Sequence, residues 1–480
     1  MLKKLITFLL LAVPIQASEF DQIFKNKWQE NKIIPVEEIS KEQWMRRVYL
    51  DLFGRLPSVD ELINKKDHSK EELVDTMLRD NEYGKNFSDV WKVILVGRRP
   101  DRFNNTVINN DAFDDWLALK LNNNIPWNKL VYDLITASGD NAGNPATNFL
   151  LSKIEFRGAG RNEVVRATAD TTKIFLGLQI QCSQCHDGKT NDWSQEQFWN
   201  TAAFFQGSVS RQIDDGTGKD KNQQNLFELK ETRIKNTVKY EIGSTKTYKE
   251  TNAKYLTGEE LEEIENKDRR EALANFITGP YKTQMSKALV NRYWKYFLGK
   301  GFVNPVDDLD PDYNPAEFPE ALDYLTNKLI ENNYDMKWLV KQIVLSKPYQ
   351  LDSIDNKDDS FFSHVYVKPM TPEQIYRTFT MITSRDLNKN AQRGFVRLFS
   401  GDDEATDSYE LTIQQVLATM NGPITKGILR STKGEVDNIY LALLSRLPSE
   451  EEKGAMGEMG VNPEDLAWAL LNSAEFILNH

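Results

Sequence analysis

The sequence predicts a mainly α protein: two helical domains with a small β-hairpin inserted between them. Three observations carry that prediction. Apolar residues recur at helical spacing through most of the 480 residues. Serine stands three residues ahead of glutamate or glutamine where some of these runs begin, as in a capping box. Only Val238, Tyr240 and Ile242 alternate convincingly with polar residues, as a half-buried strand does. With 40% hydrophobic and 11% aromatic residues, the composition is that of a globular chain long enough for two or three domains.

The first residues read as a leader. Met1-Leu2-Lys3-Lys4 is basic, Leu5 to Val13 is apolar, and Ala17 is a small residue suited to cleavage. The apolar run is too short to span a bilayer, and no later stretch is long enough. No cysteine follows it to take a lipid. Residues 1–17 are therefore expected to be a signal peptide. The mature protein is expected to be periplasmic or secreted, with no integral membrane segment. The formal charge of −11 becomes more negative still without Lys3 and Lys4. An acidic surface argues against nucleic acid and against an anionic membrane, and it permits a basic redox partner protein.

The first helical domain is expected over 18–207. Met45, Val48, Tyr49 and Leu52 form one helix, which Gly54 ends; Ser58 and Glu61 box the start of the next. Leu73, Val74, Met77 and Leu78 mark a helix over about 70–79. Phe113, Trp116, Leu117 and Leu119 mark another, and Leu130, Val131, Leu134 and Ile135 a third. A loop over 139–147 precedes a helix over about 161–178, with Val165, Ala169, Thr172, Phe175 and Leu176 on one side. Ser194 and Gln197 then open a helix carrying Phe198, Ala202, Phe204 and Phe205. These aromatics read as core, or as cover for an apolar cofactor.

Residues 208–268 read as a linker. Its polar stretch from Ser208 to Asn225 is a surface loop, and 226–250 a hairpin. The second helical domain is expected over 269–480. Gly279-Pro280 breaks its first helix, and Gly299 ends a stripe of Leu289, Val290, Tyr293, Tyr296 and Phe297. Asp308-x-Asp310-x-Asp312 resembles the start of a calcium loop, but Tyr313 and Pro319 stand where glycine and glutamate are needed. Turn formation explains these aspartates better. Helices follow from Pro319 and around Trp338 to Leu345. An internal echo links Tyr49 to Ser58 with Tyr440 to Ser449, and Leu73 to Tyr83 with Leu466 to Phe476. Leu339 to Tyr349 is similar to the latter pair. Scaffold is the expected role of these copies.

The chemistry concentrates in Cys182-Ser183-Gln184-Cys185-His186, which holds the only two cysteines and one of four histidines. Two cysteines three apart followed by histidine read as a site for covalent haem c, one per chain. On a helix, both thiols meet the vinyl groups of one porphyrin edge, and His186 takes the iron as proximal ligand. Two other readings compete. Cys182 and Cys185 form a disulfide in a non-haem binding or scaffold protein, or the motif holds zinc with a ligand from elsewhere. The sixth iron position has as candidates Met45, Met77, Met285, Met336, Met370, Met381, Met420, His68 and His364. Arg157, Arg161 and Arg166 are candidates for the propionates. No catalytic serine elbow or zinc-protease motif is present, so the reading leans away from an enzyme.

Several stretches resemble one known family. In the first half they are Arg47 to Pro57, Leu176 to Asp187, Trp193 and Ala202 to Phe205. In the second they are Leu289 to Trp294, Phe297 to Gly301, Pro305 to Asp308, Ser346 to Leu351 and Met420 to Pro423. Their order is similar to that of the planctomycete-type secreted cytochrome proteins, built from paired domains of unknown function, fifteen-forty-nine then fifteen-fifty-three. The resemblance covers nearly the whole mature chain. It implies export and a cytochrome-like motif, with a poorly defined activity. The family often places a second histidine two residues after the first; Gly188 stands there in this chain. Together these readings lead to the expectation of an exported mono-haem protein that passes single electrons.

Overall fold

The computed structural model describes residues 18–97, 107–154, 163–189, 192–213, 219–220, 226–232, 237–260, 269–310, 312–353, 360–384, 388–399, 429 and 435–479. Residues 1–17, where a leader is expected, Arg157, Arg161 and the Met420 to Pro423 stretch lie outside them. The chain runs through α1 (Glu19–Glu30), α2 (Lys41–Phe53), α3 (Val59–Lys65), α4 (Lys70–Arg79), α5 (Asn81–Val96), α6 (Asn110–Asn122) and α7 (Trp127–Thr136). Next come β1 (Gly139–Asp140), α8 (Asn148–Leu151), α9 (Glu163–Leu176) and α10 (Gln195–Ala202). Strands β2 (Ser208–Gln212), β3 (Phe227–Glu231), β4 (Thr237–Glu241) and β5 (Tyr248–Asn252) follow. Then come α11 (Arg269–Thr278), α12 (Lys282–Leu298), α13 (Pro319–Glu331), α14 (Met336–Leu345) and α15 (Lys347–Gln350). Beyond them lie β6 (Lys368–Pro369), α16 (Pro372–Ile382) and α17 (Lys389–Phe399). Helices Val436–Leu444, Glu450–Met459, Pro463–Leu471 and Ala474–Ile477 lead to β7 (Leu478–Asn479). Helix makes up 60% of the described residues, and the sheets have only two or three strands, so the mainly α class holds.

Side-chain oxygens set where many of these helices begin. Ser40, Ser58, Ser69, Ser194, Thr371 and Ser449 close capping boxes with Gln43, Glu61, Glu72, Gln197, Gln374 and Glu452. Each box satisfies two otherwise orphaned N–H groups, and a cap is worth about 1 kcal/mol. The structure adds helices that the sequence reading leaves unassigned, among them α1, α5, α16 and α17. Rings of α1 and α5 anchor the main core. Trp294 stacks on Phe24 of α1 at 5.6 Å and on Phe302 at 4.5 Å. Trp91 of α5 lies 4.5 Å from Trp127 and donates to the Tyr293 hydroxyl at 3.1 Å. This core runs continuously from Phe20 to Val365. A second, smaller core joins Leu50 and Leu56 to Met370, Phe379, Leu443, Leu444 and Phe476.

Three details differ from expectation. Ser208–Gln212 is not only surface loop; it pairs antiparallel with β3, Ser208 opposite Glu231 and Gln212 opposite Phe227. Its residues are polar except Val209, and burial falls off along the strand instead of alternating. Leu119 is 59% exposed while Leu121 is buried, a shift of half a turn in the stripe of α6. The Leu466 to Phe476 stretch is two helices, because Ser473 caps a new turn by accepting from Phe476 N–H.

α2 ties the two halves of the sequence together. Arg46, buried, donates to the carbonyls of Leu443 (3.0 Å), Glu475 (2.7 Å) and Phe476 (2.9 Å). Arg47 donates to those of Tyr349 and Leu351 (2.8 Å). Burial pushes the Arg46 guanidinium down to about 10, still charged at neutral pH. Asp51, fully buried, accepts from the Tyr349 hydroxyl, Lys368 Nζ and Asn479 Nδ2, all at 2.8 Å. Burial raises its carboxyl, and these donors oppose the rise.

The echo between the chain's two ends has a matching structure. Arg55 grips Glu82 (2.7 and 2.9 Å) and Glu61 (2.8 and 3.1 Å). Arg446 grips Glu475 (2.6 and 2.8 Å) and Glu452 (both 2.8 Å). Each guanidinium also lies over a tyrosine, Tyr49 at 5.6 Å or Tyr440 at 5.4 Å. The third copy contributes Tyr349, buried like Tyr83 and Phe476.

Candidate functional site: the Cys182 to His186 turn

α9 delivers the chain to the motif, and its apolar face is spent on the way. Val165, Ala169, Thr172, Phe175 and Leu176 are all buried. Gly177 then turns with φ 64°, and a Cβ there would meet Leu309 Cδ1 at 2.4 Å. Its carbonyl accepts from Leu309 N–H at 2.7 Å. The motif itself is a 3₁₀ turn over Gln181–Gln184, not α-helix. At three residues per turn, positions i and i+3 eclipse. Cys182 and Cys185 therefore still share a side. Both are exposed, and their thiols are free. Ser183 between them points inward, buried, and donates to the Trp193 carbonyl at 2.8 Å.

The turn is braced from behind. The Gln184 carbonyl accepts from Gln195 Nε2 and from Trp199 Nε1, both at 3.0 Å. Gln195 Nε2 also donates to the Glu241 carbonyl at 2.8 Å, and its backbone N–H to Asp187 Oδ1 at 2.8 Å. Trp199 stacks on Tyr240 at 5.5 Å. The β4–β5 hairpin thus stands beside the motif, held by a glutamine and a tryptophan that the sequence reading did not single out. The only signal for Gln195 was its place just after the Ser194 cap, which does not reveal a buried bridging amide.

His186 is exposed, and its Nδ1 lies 2.7 Å from the Asp187 carbonyl. In the tautomer that this contact selects, Nδ1–H donates to the carbonyl and Nε2 keeps its lone pair. That division is usual for ligating histidines, whose other ring nitrogen is fixed by a hydrogen bond. The set fits a c-type haem: two unjoined thiols on one side of a turn and an imidazole with Nε2 available. Among the described residues, no three His, Cys, Asp or Glu side chains gather as a metal centre needs. A macrocycle does not need that gathering, because thiols and imidazole meet different parts of it.

The structure sorts the other candidates. Met45, Met77, Met285 and Met336 are buried in the main core and Met370 in the second; Met381 packs beside the second. His68 is exposed between α3 and α4, and His364 is buried with its ring 4.7 Å from Tyr366. Arg166 sits ten residues before the end of α9, about 15 Å along the axis, and pairs with Asp170 at 3.8 Å. Phe198, Ala202, Phe204 and Phe205 are buried in the core. The aspartate loop serves turns and ties. Asp310 Oδ1 accepts from Asp312 N–H at 3.1 Å, and Asp307 holds Lys173 (3.1 Å) and Gln179 (2.9 Å).

Comparison with known families finds two matches. A model described as protein of unknown function (DUF1549), with the short name PSCyt2, matches residues 19–210. A second, protein of unknown function (DUF1553) or PSD1, matches residues 269–410. The chain belongs to this paired-domain family. In the paired-domain protein the first match contains the whole motif and its bracing helix α10. The second opens on the first residue of α11 and contains α12. No curated protein and no solved structure matches the chain.

Proposed function

We propose that this paired-domain protein is an exported c-type haem protein that passes single electrons to a partner protein. Cys182 and Cys185 would hold the haem through thioether bonds to its two vinyl groups, an addition in which each thiol hydrogen would end on carbon and no oxidant would be needed. His186 Nε2 would ligate its iron. The bound haem supplies a one-electron couple. The chain's part is to present both sulfurs on one side of a braced turn and to fix the imidazole tautomer through the Asp187 carbonyl. The observation that carries the reading is the His186 Nδ1 contact at 2.7 Å beside two free, exposed thiols. The same thiols favour haem over a Cys182–Cys185 cystine. The short name of the first family model points the same way.

The test is expression with an N-terminal export signal in a host that has haem-attachment machinery. Intact mass should rise by one haem, with a c-type spectrum after reduction. Cys182→Ser with Cys185→Ser should remove the covalent haem. His186→Ala should keep the mass while changing the spectrum. Colourless wild-type protein, or a Cys182–Cys185 cystine, would sink the proposal.

A further inference from the structure

The peptide unit that meets His186 is itself held from behind. Its carbonyl, on Asp187, lies 2.7 Å from His186 Nδ1. Its N–H, on Gly188, donates to the Trp193 carbonyl at 2.7 Å. In a planar trans peptide the C=O and N–H point in opposite directions. The bond to Trp193 therefore sets which way the Asp187 carbonyl faces. The Trp193 carbonyl also accepts from Ser183 Oγ at 2.8 Å, the buried hydroxyl between the two cysteines.

The Asp187 side chain makes a second hold. Its Oδ1 accepts from Gln195 N–H at 2.8 Å, at the first residue of α10. That helix is in turn fastened to the motif, because Gln195 Nε2 and Trp199 Nε1 both donate to the Gln184 carbonyl. Asp187 is exposed, so burial does not force this contact. A carboxylate at a helix start accepts an N–H that has no partner within the helix, and it meets the positive end of the helix dipole. The stretch from Asp187 to Gln195 is thus a loop closed twice, once by a side chain and once by the backbone.

We propose that Asp187 is a positioning residue for His186: its carboxylate, anchored on α10, aims the peptide that orients the imidazole. The inference takes its purpose from the haem reading, and its geometry stands without it. A firm acceptor at Nδ1–H does two things. It holds the ring in the tautomer whose Nε2 carries the lone pair. It also makes Nε2 a better donor, which favours the oxidised iron of a bound haem. Ser183 supports the same peptide at one remove, through the Trp193 carbonyl.

The test compares Asp187→Ala with Asp187→Asn in the full mature chain. Asparagine keeps an oxygen for Gln195 N–H and removes the charge; alanine removes both. The first readout is the His186 tautomer in the haem-free, reduced chain, from the ring nitrogen shifts at a pH where the imidazole is neutral. Wild type and Asp187→Asn should be mainly Nδ1–H, the minor form of histidine in water. Asp187→Ala should lower the ratio of Nδ1–H to Nε2–H at least about threefold, as the loss of one hydrogen bond does. The second readout is the midpoint potential of the haem-loaded chain, which should rise in Asp187→Ala and rise less in Asp187→Asn. A wild-type ring mainly in the Nε2–H form overturns the proposal. So does a ratio that alanine leaves unchanged, or asparagine matching alanine in either readout, which would make charge the cause. A wild-type chain that takes up no haem sinks the haem reading alone, since the tautomer is read without it.

Discussion

Asp51 shows how much one residue can be asked to hold. It sits in an α2 turn that reads from sequence only as an acidic break in an apolar stripe. In the fold it is fully buried and receives a phenol, an ammonium and an amide. Removing it takes the carboxylate partner from Lys368, which keeps only the Tyr296 and Phe297 carbonyls, and the acceptor from the Tyr349 hydroxyl. Asp51→Ala should therefore cost about 3–5 kcal/mol, as loss of one partner from a buried pair does. Asp51→Asn keeps an acceptor oxygen and should cost on the order of 2 kcal/mol. Urea denaturation measures both; a loss below about 1 kcal/mol for the alanine variant would mean that the cluster is incidental. The residue scale is also where the sequence misleads least about chemistry and most about setting. Cys182, Cys185 and His186 were legible as a motif because the thiols have no competitors in the chain. Their exposure was not legible, nor was the Gln195 bridge behind them. Arg46, Arg47 and Arg292 read as ordinary helix cations, since their acceptors lie 118 or more residues away.

At the scale of elements, local signals did well wherever a helix advertises its own ends. The capping boxes at Ser58 and Ser194 and the stops at Gly54 and Gly299 were legible because cap and first turn lie within four residues. Strand β2 was not, because its partner β3 supplies the order and its own residues are polar except Val209. The echo was legible as repeated letters; its meaning came from the two arginine clamps. They also make a prediction. Hydrogen bonds from Arg446 draw the Glu452 carboxyl down to about 2, against an ordinary 4.5. A depressed acid contributes stability that is complete above its unfolded value and is lost as pH falls through its folded one. Hydrogen-exchange protection factors over residues 436–471, taken against the intrinsic rate at each pH, should thus stay high at pH 6 and fall between about pH 4.5 and 2. Glu452→Gln should flatten that dependence. An unchanged profile in the variant would show that other carboxylates govern acid opening. Gly54 shows the difference between the copies. A Cβ there would meet Asn86 Oδ1 at 2.3 Å, whereas the second copy carries Ser445 at φ 59° in the matching place.

For the whole molecule, the helical segments near both ends of the sequence share a core. Leu50 and Leu56 pack with Leu443, Leu444 and Phe476, while β6 pairs with β7 through Lys368 and Asn479. Deleting residues 435–480 should therefore do more than shorten the protein. It uncovers Leu50 and Leu56, leaves Arg46 without four carbonyls and takes Asn479 from Asp51. The truncated chain should lose at least about 5 °C in midpoint, since a 1 kcal/mol loss shifts a large domain by about 2–4 °C and several such losses combine. A midpoint within 2 °C of the intact chain (less than about 1 kcal/mol) would show that the two ends are independent. The mainly α class was legible from periodicity alone. This joining of distant segments was not, because no local pattern records a partner hundreds of residues away.

Arg46 meets the Glu475 carbonyl across 429 residues of sequence. A ribosome adding about 5–20 residues per second needs roughly 20–90 s to cover that distance. During synthesis, then, α2 emerges long before its acceptors exist, with its guanidinium and the leucines beside it still in water. The early chain is a folding problem in time as well as in space. Whatever keeps that face from sticking to its neighbours must hold for most of a minute.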